Sequence, residues 1–580
     1  MQPLRIGELW AFPIMLRLAL IENLRRVAVR IAAGIRQREI ANSWADRMLD
    51  VAEKDPKGLI LVIADMARSD PPMTGPFVAE LARRLHARSA ALALPLSWVE
   101  QRLAESNQNI EQLVQLEAQH QAAAQVSVSN SIGSLRLLGS MDWREFVETL
   151  SKVEQTLRED PADVYARMDF ATRDDYRHAV EQMAKHSPLP EHEVARAAVE
   201  LAGEAATRIP AENRHRWHVG YYLVERGRPD LERVTQVHLS PWHRLRRACD
   251  RHPLRLYAGS IITLTVLLGA GAAWWAERQP GGVTQLPPGW WLIAPAGVLL
   301  LAASQLGVAM VNWAASLMVS PRRLPRMDFS FGIPSGCRTL VAVPTMLGSE
   351  TGIDDLVEAL EVRFLANRDG QLHFALLTDF LDWRDERRDD DDALLRHART
   401  QIEALNRKYR LPGSDATGGD RFFLFHRPRR WNPQERVWMG YERKRGKLAD
   451  LNALLRGRAG AGPGEAFSLI VGDTSQLSGV RYVITLDSDT QLPRDSAWQF
   501  VGTMAHPLNR PRFGGEPLAP VVKEGHGILQ PRVGVSLPAA NRTRYGRLFG
   551  GEPGIDPYTR AVSDVYQDLF DEGSFIGKGI

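Results

Sequence analysis

Two nearly uncharged stretches in the middle of the chain constrain it more than any other feature. Residues 254–276 carry a single charge, Arg255, close to their start, and end near Trp274 and Trp275; residues 290–318 carry none. A helix needs about 20 apolar residues to cross the hydrocarbon core of a bilayer, and both stretches are long enough. One such run could be a buried helix of a soluble protein. Two in tandem, each with Trp at an end where membrane interfaces favour it, predict a pair of transmembrane helices. Before the first come His243, Arg244, Arg246, Arg247, Arg251 and Arg255, and after the second come Arg322, Arg323 and Arg326. The loop 277–289 holds Arg278 as its one basic residue and is rich in Pro and Gly. Positive-inside bias therefore predicts both large flanking regions on the cytoplasmic side and the short loop outside.

The 580 residues exceed one ordinary domain, and 44% hydrophobic with 24% charged residues is the composition of a folding chain. A net charge of +3 gives no general case for a nucleic-acid partner. Two cysteines, Cys249 and Cys337, lie far apart without a metal-ligand spacing, which argues against a disulfide framework or a cysteine-based zinc site and fits a reducing compartment. Residues 1–240 read as helical throughout, without a repeat period. Within them, 14–35 interleaves apolar residues with Arg17, Arg25, Arg26 and Arg30, an amphipathic helix packed on its own domain or lying on an anionic membrane surface. His186, His192, His215 and His218 are scattered, which predicts surface or capping roles and not metal ligation.

After residue 336 the pattern becomes strand–helix alternation, an α/β domain over 336–580. Strands are predicted at 339–344, 372–377, 422–426 and 480–486, the last as the central strand. The second leads into Asp379 and the last into Asp487-Ser488-Asp489. Side chains two apart on an extended chain point the same way, and open α/β sheets bind ligands at the carboxyl ends of their strands. Two carboxylates there, together with a diphosphate, suit Mg²⁺ or Mn²⁺. Alone the Asp-x-Asp triplet is a weak signal, more often a turn. Upstream, 442–452 is a basic turn running into a helix, with Lys447 near its start, and could bind phosphate or serve solubility alone. Downstream, 529–533 reads as a further strand and 572–579 as a Gly-rich loop. The acids Asp389–Asp392 read as a solvated face without chemistry.

This order of motifs resembles that of processive family-2-like glycosyltransferases of GT-A fold. The closer resemblance is to the cyclic β-1,2-glucan synthases, carried by Ile6-Gly7-Glu8-Leu9-Trp10-Ala11, by Met168-Asp169-Phe170-Ala171-Thr172-Arg173-Asp174 and by Thr485-Leu486-Asp487-Ser488-Asp489-Thr490. It spans essentially the whole chain. It implies a multidomain membrane protein of the bacterial inner membrane: a helical N-terminal domain, two transmembrane helices around a periplasmic loop, and an incomplete α/β GT-A-type domain. The implied activity is transfer of glucose from UDP-glucose to a growing β-1,2-glucan. In that reading Asp379 contacts the uracil or its ribose, Lys447 helps hold the nucleotide, Asp487 addresses the diphosphate, and Asp487 with Asp489 holds Mg²⁺ or Mn²⁺. A glycosyl acceptor also needs a base. None stands out here, so the family's general base is expected beyond Ile580 and the chain by itself is expected to be inactive. The competing readings are a non-catalytic membrane protein and a part of a protein that contains a glycoside phosphorylase.

Overall fold

The computed structural model describes residues 5–86, 90–238, 252–278, 293–318, 323–410, 419–458, 465–516, 519–531, 544, 570 and 577–580. Cys249, the basic cluster preceding the first apolar helix, most of loop 277–289 and most of loop 572–579 lie outside them. Packing divides the chain into two compact units, 1–155 and 156–580. Residues 156–238, read from sequence as part of one helical region with the N-terminus, thus belong to the unit that holds the α/β sheet.

The first unit is entirely helical among its described residues. One helix, Ile6–Lys54, packs on Gly75–Leu85 and Ile110–Ser140. Small side chains at Ala41 and Ala45 let Met48, Phe77, Val78, Leu81 and Leu85 close a packed core. Polar ties join the same helices: Arg38 meets Glu117 at 3.1 Å, and Asn23 donates to Ser127 and Ser131, each at 3.0 Å. The 14–35 stretch is therefore partly packed, with Val27 and Gly34 buried, while Ile14, Met15, Leu18 and Val29 stay exposed.

The second unit begins with the helices Phe170–Ala184, Glu191–Arg208, Val219–Leu223 and Arg228–Val234. Two long helices follow, Pro253–Glu277 and Ile293–Met318. At 1.5 Å per residue the 25-residue first one is about 38 Å long, enough to cross a bilayer. The two pack together, with Tyr257 Oη donating to Asn312 Oδ1 at 2.7 Å. Leu267, Trp274, Val298 and Leu301 nevertheless remain exposed, so neither helix is the buried core of a soluble fold.

A five-stranded sheet of order β6-β3-β2-β1-β7 forms the α/β region. Its members are β1 (Thr339–Leu347), β2 (Leu372–Phe380), β3 (Phe422–His426), β6 (Leu469–Val471) and β7 (Tyr482–Thr485). β1, β2, β3 and β7 are parallel and β6 is antiparallel to β3. Helix Glu350–Ala366 connects β1 to β2, and Asp391–Tyr409 connects β2 to β3. The near-continuous apolar sequence of β2 and β3 follows from burial, since parallel sheets have helices on their faces. Among the described residues the segment expected to be the central strand stands last in the sheet order, its other side meeting Gly579. Two hairpins were not foreseen: β4 (Arg430–Asn432) with β5 (Val437–Met439), and β8 (Arg512–Glu516) with β9 (Ala519–Glu524). The 529–533 strand does not form over its described residues, although Leu529 and Ile580 exchange two backbone bonds.

The Met168–Asp174 motif is a joint within this unit. Asp169 caps the helix Phe170–Ala184 through Thr172 N at 3.0 Å and also pairs with Arg326 at 2.6 Å. Arg326 reaches Gln499 on helix Ser496–Ala505 at 2.8 Å, and Met327 N donates to Gly502 O at 3.0 Å. Nearby, His218 Nδ1 lies 2.8 Å from buried Asp160, and the rings of His218 and His506 stack edge-on. His215 and His218, expected in surface or capping roles, are both buried, and His218 stands at the N-cap position of Val219–Leu223 without a side-chain cap bond. A sequence without a helical register gives no sign of that.

Candidate functional site

The parallel register brings the carboxyl ends of β1, β2, β3 and β7 to one edge, with Met346 opposite Asp379 and Ala342 opposite Thr485. Two ion clusters occupy that edge.

The deeper cluster is centred on Asp379. Arg427, the residue after β3, approaches it with a two-pronged contact, Nε to Oδ1 at 2.9 Å and Nη2 to Oδ2 at 3.0 Å. Lys447 Nζ meets Oδ2 at 3.1 Å and also donates to the Thr345 carbonyl. Arg427 has further partners in Asp450 Oδ2 at 2.8 Å and the Tyr441 carbonyl at 3.0 Å. Burial pulls the Lys447 ammonium below its ordinary pKa, and Asp379 opposes the shift without cancelling it. For Arg427 burial also lowers the pKa, but Asp379 and Asp450 more than offset it.

Local backbone geometry makes this approach possible. Helix Arg443–Leu455 starts from a turn in which Glu442 and Arg443 both have left-handed φ. A Cβ on Gly440 would lie 2.2 Å from Asp379 Oδ2, and one on Gly446 would lie 2.2 Å from the Tyr441 carbonyl, so both positions require glycine.

The shallower cluster is centred on Asp487, just past β7. Lys444 Nζ contacts Oδ1, and Lys578 Nζ stands 3.3 Å from Oδ2. Lys444 also donates to the Gly577 carbonyl at 2.8 Å, while Thr485 and Gly579 exchange backbone bonds at 2.7 and 3.0 Å. Burial raises the Asp487 pKa, but the two ammonium groups hold it below the usual carboxylate range. Asp489 is exposed and accepts from its neighbour Thr490 Oγ1 at 3.3 Å.

The four residues selected from sequence therefore separate by depth. β7 ends at Thr485, so Asp487 and Asp489 are not two apart on an extended strand but in a turn closed by Thr490 N on the Asp487 carbonyl at 3.0 Å, with Asp487 half-buried and Asp489 exposed. Asp379 and Lys447 touch each other but are 3% exposed, facing protein cations and carbonyls and not an open cleft. Arg427, Lys444 and Lys578 were not singled out. Arg427 had a signal, being a cation at the carboxyl end of a strand, and Lys444 lies one helical turn before Lys447. Asp391 corrects the solvated reading of the acidic run: it is buried and holds Arg429 with both oxygens, although Asp390 beside it is exposed.

Among the described residues no group of three or more His, Cys, Asp or Glu side chains converges as a metal cage. The Asp487–Asp489 turn offers two carboxylates. Carboxylates are the ligand type of a hard cation, and both oxygens of Asp487 are here engaged by Lys444 and Lys578.

No protein-family model matches the chain. Along its whole length, over 588 aligned residues, it is 38% identical to "Cyclic beta-(1,2)-glucan synthase NdvB" of Rhizobium meliloti (strain 1021). The chain spans 20% of that protein. The similarity agrees with the motif resemblance.

Proposed function

We propose, from this relationship along the whole chain to a cyclic β-1,2-glucan synthase, that the α/β region is the donor-binding part of a membrane-bound glycosyltransferase. In this reading it has a GT-A-type fold, takes UDP-glucose from the cytoplasmic side of a bacterial inner membrane, and extends a β-1,2-glucan. The two exposed apolar helices support anchoring in the bilayer. The observation that carries the reading is the convergence of Lys444 and Lys578 on Asp487 just beyond β7, at the strand edge where α/β sheets bind nucleotides, with Asp489 exposed two residues on.

The two ammonium groups suit a diphosphate. Each now satisfies Asp487, and an arriving phosphate would offer them a second, multiply charged anion. The buried Asp379, Arg427 and Lys447 lie beneath that surface. They fix the turn 440–447 from which Lys444 projects, so their role is to support the donor site. Asp487 and Asp489 would hold Mg²⁺ or Mn²⁺. When bound, such an ion neutralises charge that builds on a departing nucleoside diphosphate.

In the full-length protein, Asp489→Asn is expected to lower glucose transfer from UDP-glucose by about two or more orders of magnitude, as removal of one group from a charge-stabilising site does. Membrane insertion is unaffected in the same variant. Asp390→Asn, at an exposed acid paired with Arg388, leaves transfer within about two-fold. Near-normal transfer by Asp489→Asn would reduce the Asp pair to a surface turn.

A further inference from the structure

Beneath the Asp487–Asp489 turn lies a positive charge that the donor-site reading does not use. Arg363, in the last turn of helix Glu350–Ala366, is 3% exposed. Its Nε donates to the Thr490 carbonyl at 3.0 Å, and its Nη2 donates to the carbonyls of Ser488 at 2.7 Å, Thr490 at 2.8 Å and Asp487 at 3.5 Å. Its Nη1 is buried and has no hydrogen-bond partner among the described residues. Burial lowers the pKa of the guanidinium and the charge of Asp489 opposes that shift.

A buried guanidinium without a bonded carboxylate is costly, and neutral groups can hold a loop in place. The structure supplies the comparison. Asn367, four residues on, holds the next part of the same segment with uncharged bonds: its Nδ2 to the Leu492 and Pro493 carbonyls at 3.3 and 3.1 Å, and its Oδ1 from Ala497 N at 3.0 Å. Under the two carboxylates of the Asp487–Asp489 turn the clamp is charged; over Leu492–Ala497, where exposed Asp495 is paired with its neighbour Arg494 at 3.4 Å, the clamp is neutral.

We infer that Arg363 is a positioning residue of the donor site. It fixes the Asp487–Thr490 turn through its carbonyls and places a buried positive charge under the anion-binding surface. The guanidinium then acts in two ways. It holds the acidic pair past the strand end, and its field, little screened by solvent, favours an additional anion above the turn. The inference rests on the reading of that turn as the diphosphate site.

The test uses the full-length protein in detergent, with equilibrium binding of UDP over a range of Mn²⁺ concentrations and thermal unfolding of each variant. Arg363→Met removes the charge at similar volume, Arg363→Lys keeps the charge without the fork, and Asn367→Ala loosens the same segment with the charge intact. Arg363→Met is expected to weaken UDP binding by about ten-fold or more and to raise the Mn²⁺ needed for half-saturation. Arg363→Lys recovers part of the affinity, and Asn367→Ala lowers the unfolding temperature while changing UDP affinity by less than about three-fold. UDP affinity in Arg363→Met within about two-fold of wild type would overturn the inference alone. So would an Arg363→Lys as weak as Arg363→Met together with an equal loss in Asn367→Ala, the pattern of a purely structural clamp. A wild-type protein that binds no UDP would instead overturn the donor-site reading on which the inference rests.

Discussion

Replacing Asp379 by Asn distinguishes a donor contact from a support. Asp379 is 3% exposed and accepts from Arg427 at 2.9 and 3.0 Å and from Lys447 at 3.1 Å. Asn keeps one acceptor and turns the other position into a donor that faces a cation. Arg427 retains Asp450 and the Tyr441 carbonyl, but Lys447 is left with the Thr345 carbonyl and no charge partner. Breaking a buried pair costs about 3–5 kcal/mol. Lys447 keeps the Thr345 carbonyl as a hydrogen-bond acceptor, which points to the low end of that range. At about 2–4 °C per kcal/mol for a domain of this size, the unfolding temperature falls by about 6–12 °C. Tryptophan fluorescence of the detergent-solubilised protein during heating measures it. Adding Lys447→Met to Asp379→Asn removes the orphaned cation and recovers a large part of the loss. An Asp379→Asn protein that unfolds within about 2 °C of wild type but no longer binds UDP would refute the support role. Asp379 would then be a direct donor contact.

Further outcomes follow from the same geometry. A topology reporter fused after Glu277 behaves as periplasmic and one fused after Met327 as cytoplasmic; the reverse pair of results would invert the orientation and remove cytoplasmic UDP-glucose as donor. His373 and His426 are pushed by burial from 6.5 to about 4. Between those values the unfolded chain binds the proton and the folded one does not. Stability is therefore complete above about pH 6.5 and falls towards pH 4, by up to about 1.4 kcal/mol per pH unit for each histidine. Unfolding temperatures equal at pH 7 and pH 5 would contradict this. Gly446→Ala puts a Cβ 2.2 Å from the Tyr441 carbonyl, so it should cost about 1–3 kcal/mol and weaken UDP binding through Lys444; a neutral result by unfolding and binding would mean that the 440–447 turn relaxes freely.

Much of the candidate site was legible because strand-end chemistry is local. The runs before Asp379 and Asp487 are apolar enough to read as strands, and a carboxylate at the end of such a strand is visible one residue at a time. The depth of each group was not legible. Asp379 and Lys447 look like surface charges in the sequence, yet they neutralise each other under the sheet edge, and Arg427, which makes that burial tolerable, comes from another strand. Asp391 and Asp390 are adjacent acids with opposite fates, because one faces Arg429 across the connection from β2 to β3 and the other faces solvent.

The sequence by itself determined the helical first unit, the two apolar helices and the alternating α/β region, since each depends on periodicity or on an uncharged run length within one segment. Tertiary structure alone decided that β7 stands last among the described strands of the sheet, that residues 156–238 join the sheet-bearing unit through Asp169 and Arg326, and that Arg363 sits under the acidic turn. These outcomes depend on contacts between residues far apart in the chain, 157 positions for Asp169 with Arg326 and 125 for Arg363 with Ser488. Local propensity carries no information about which distant partner compensates a buried charge; only the register of the sheet and the packing of its helices bring them within hydrogen-bond reach.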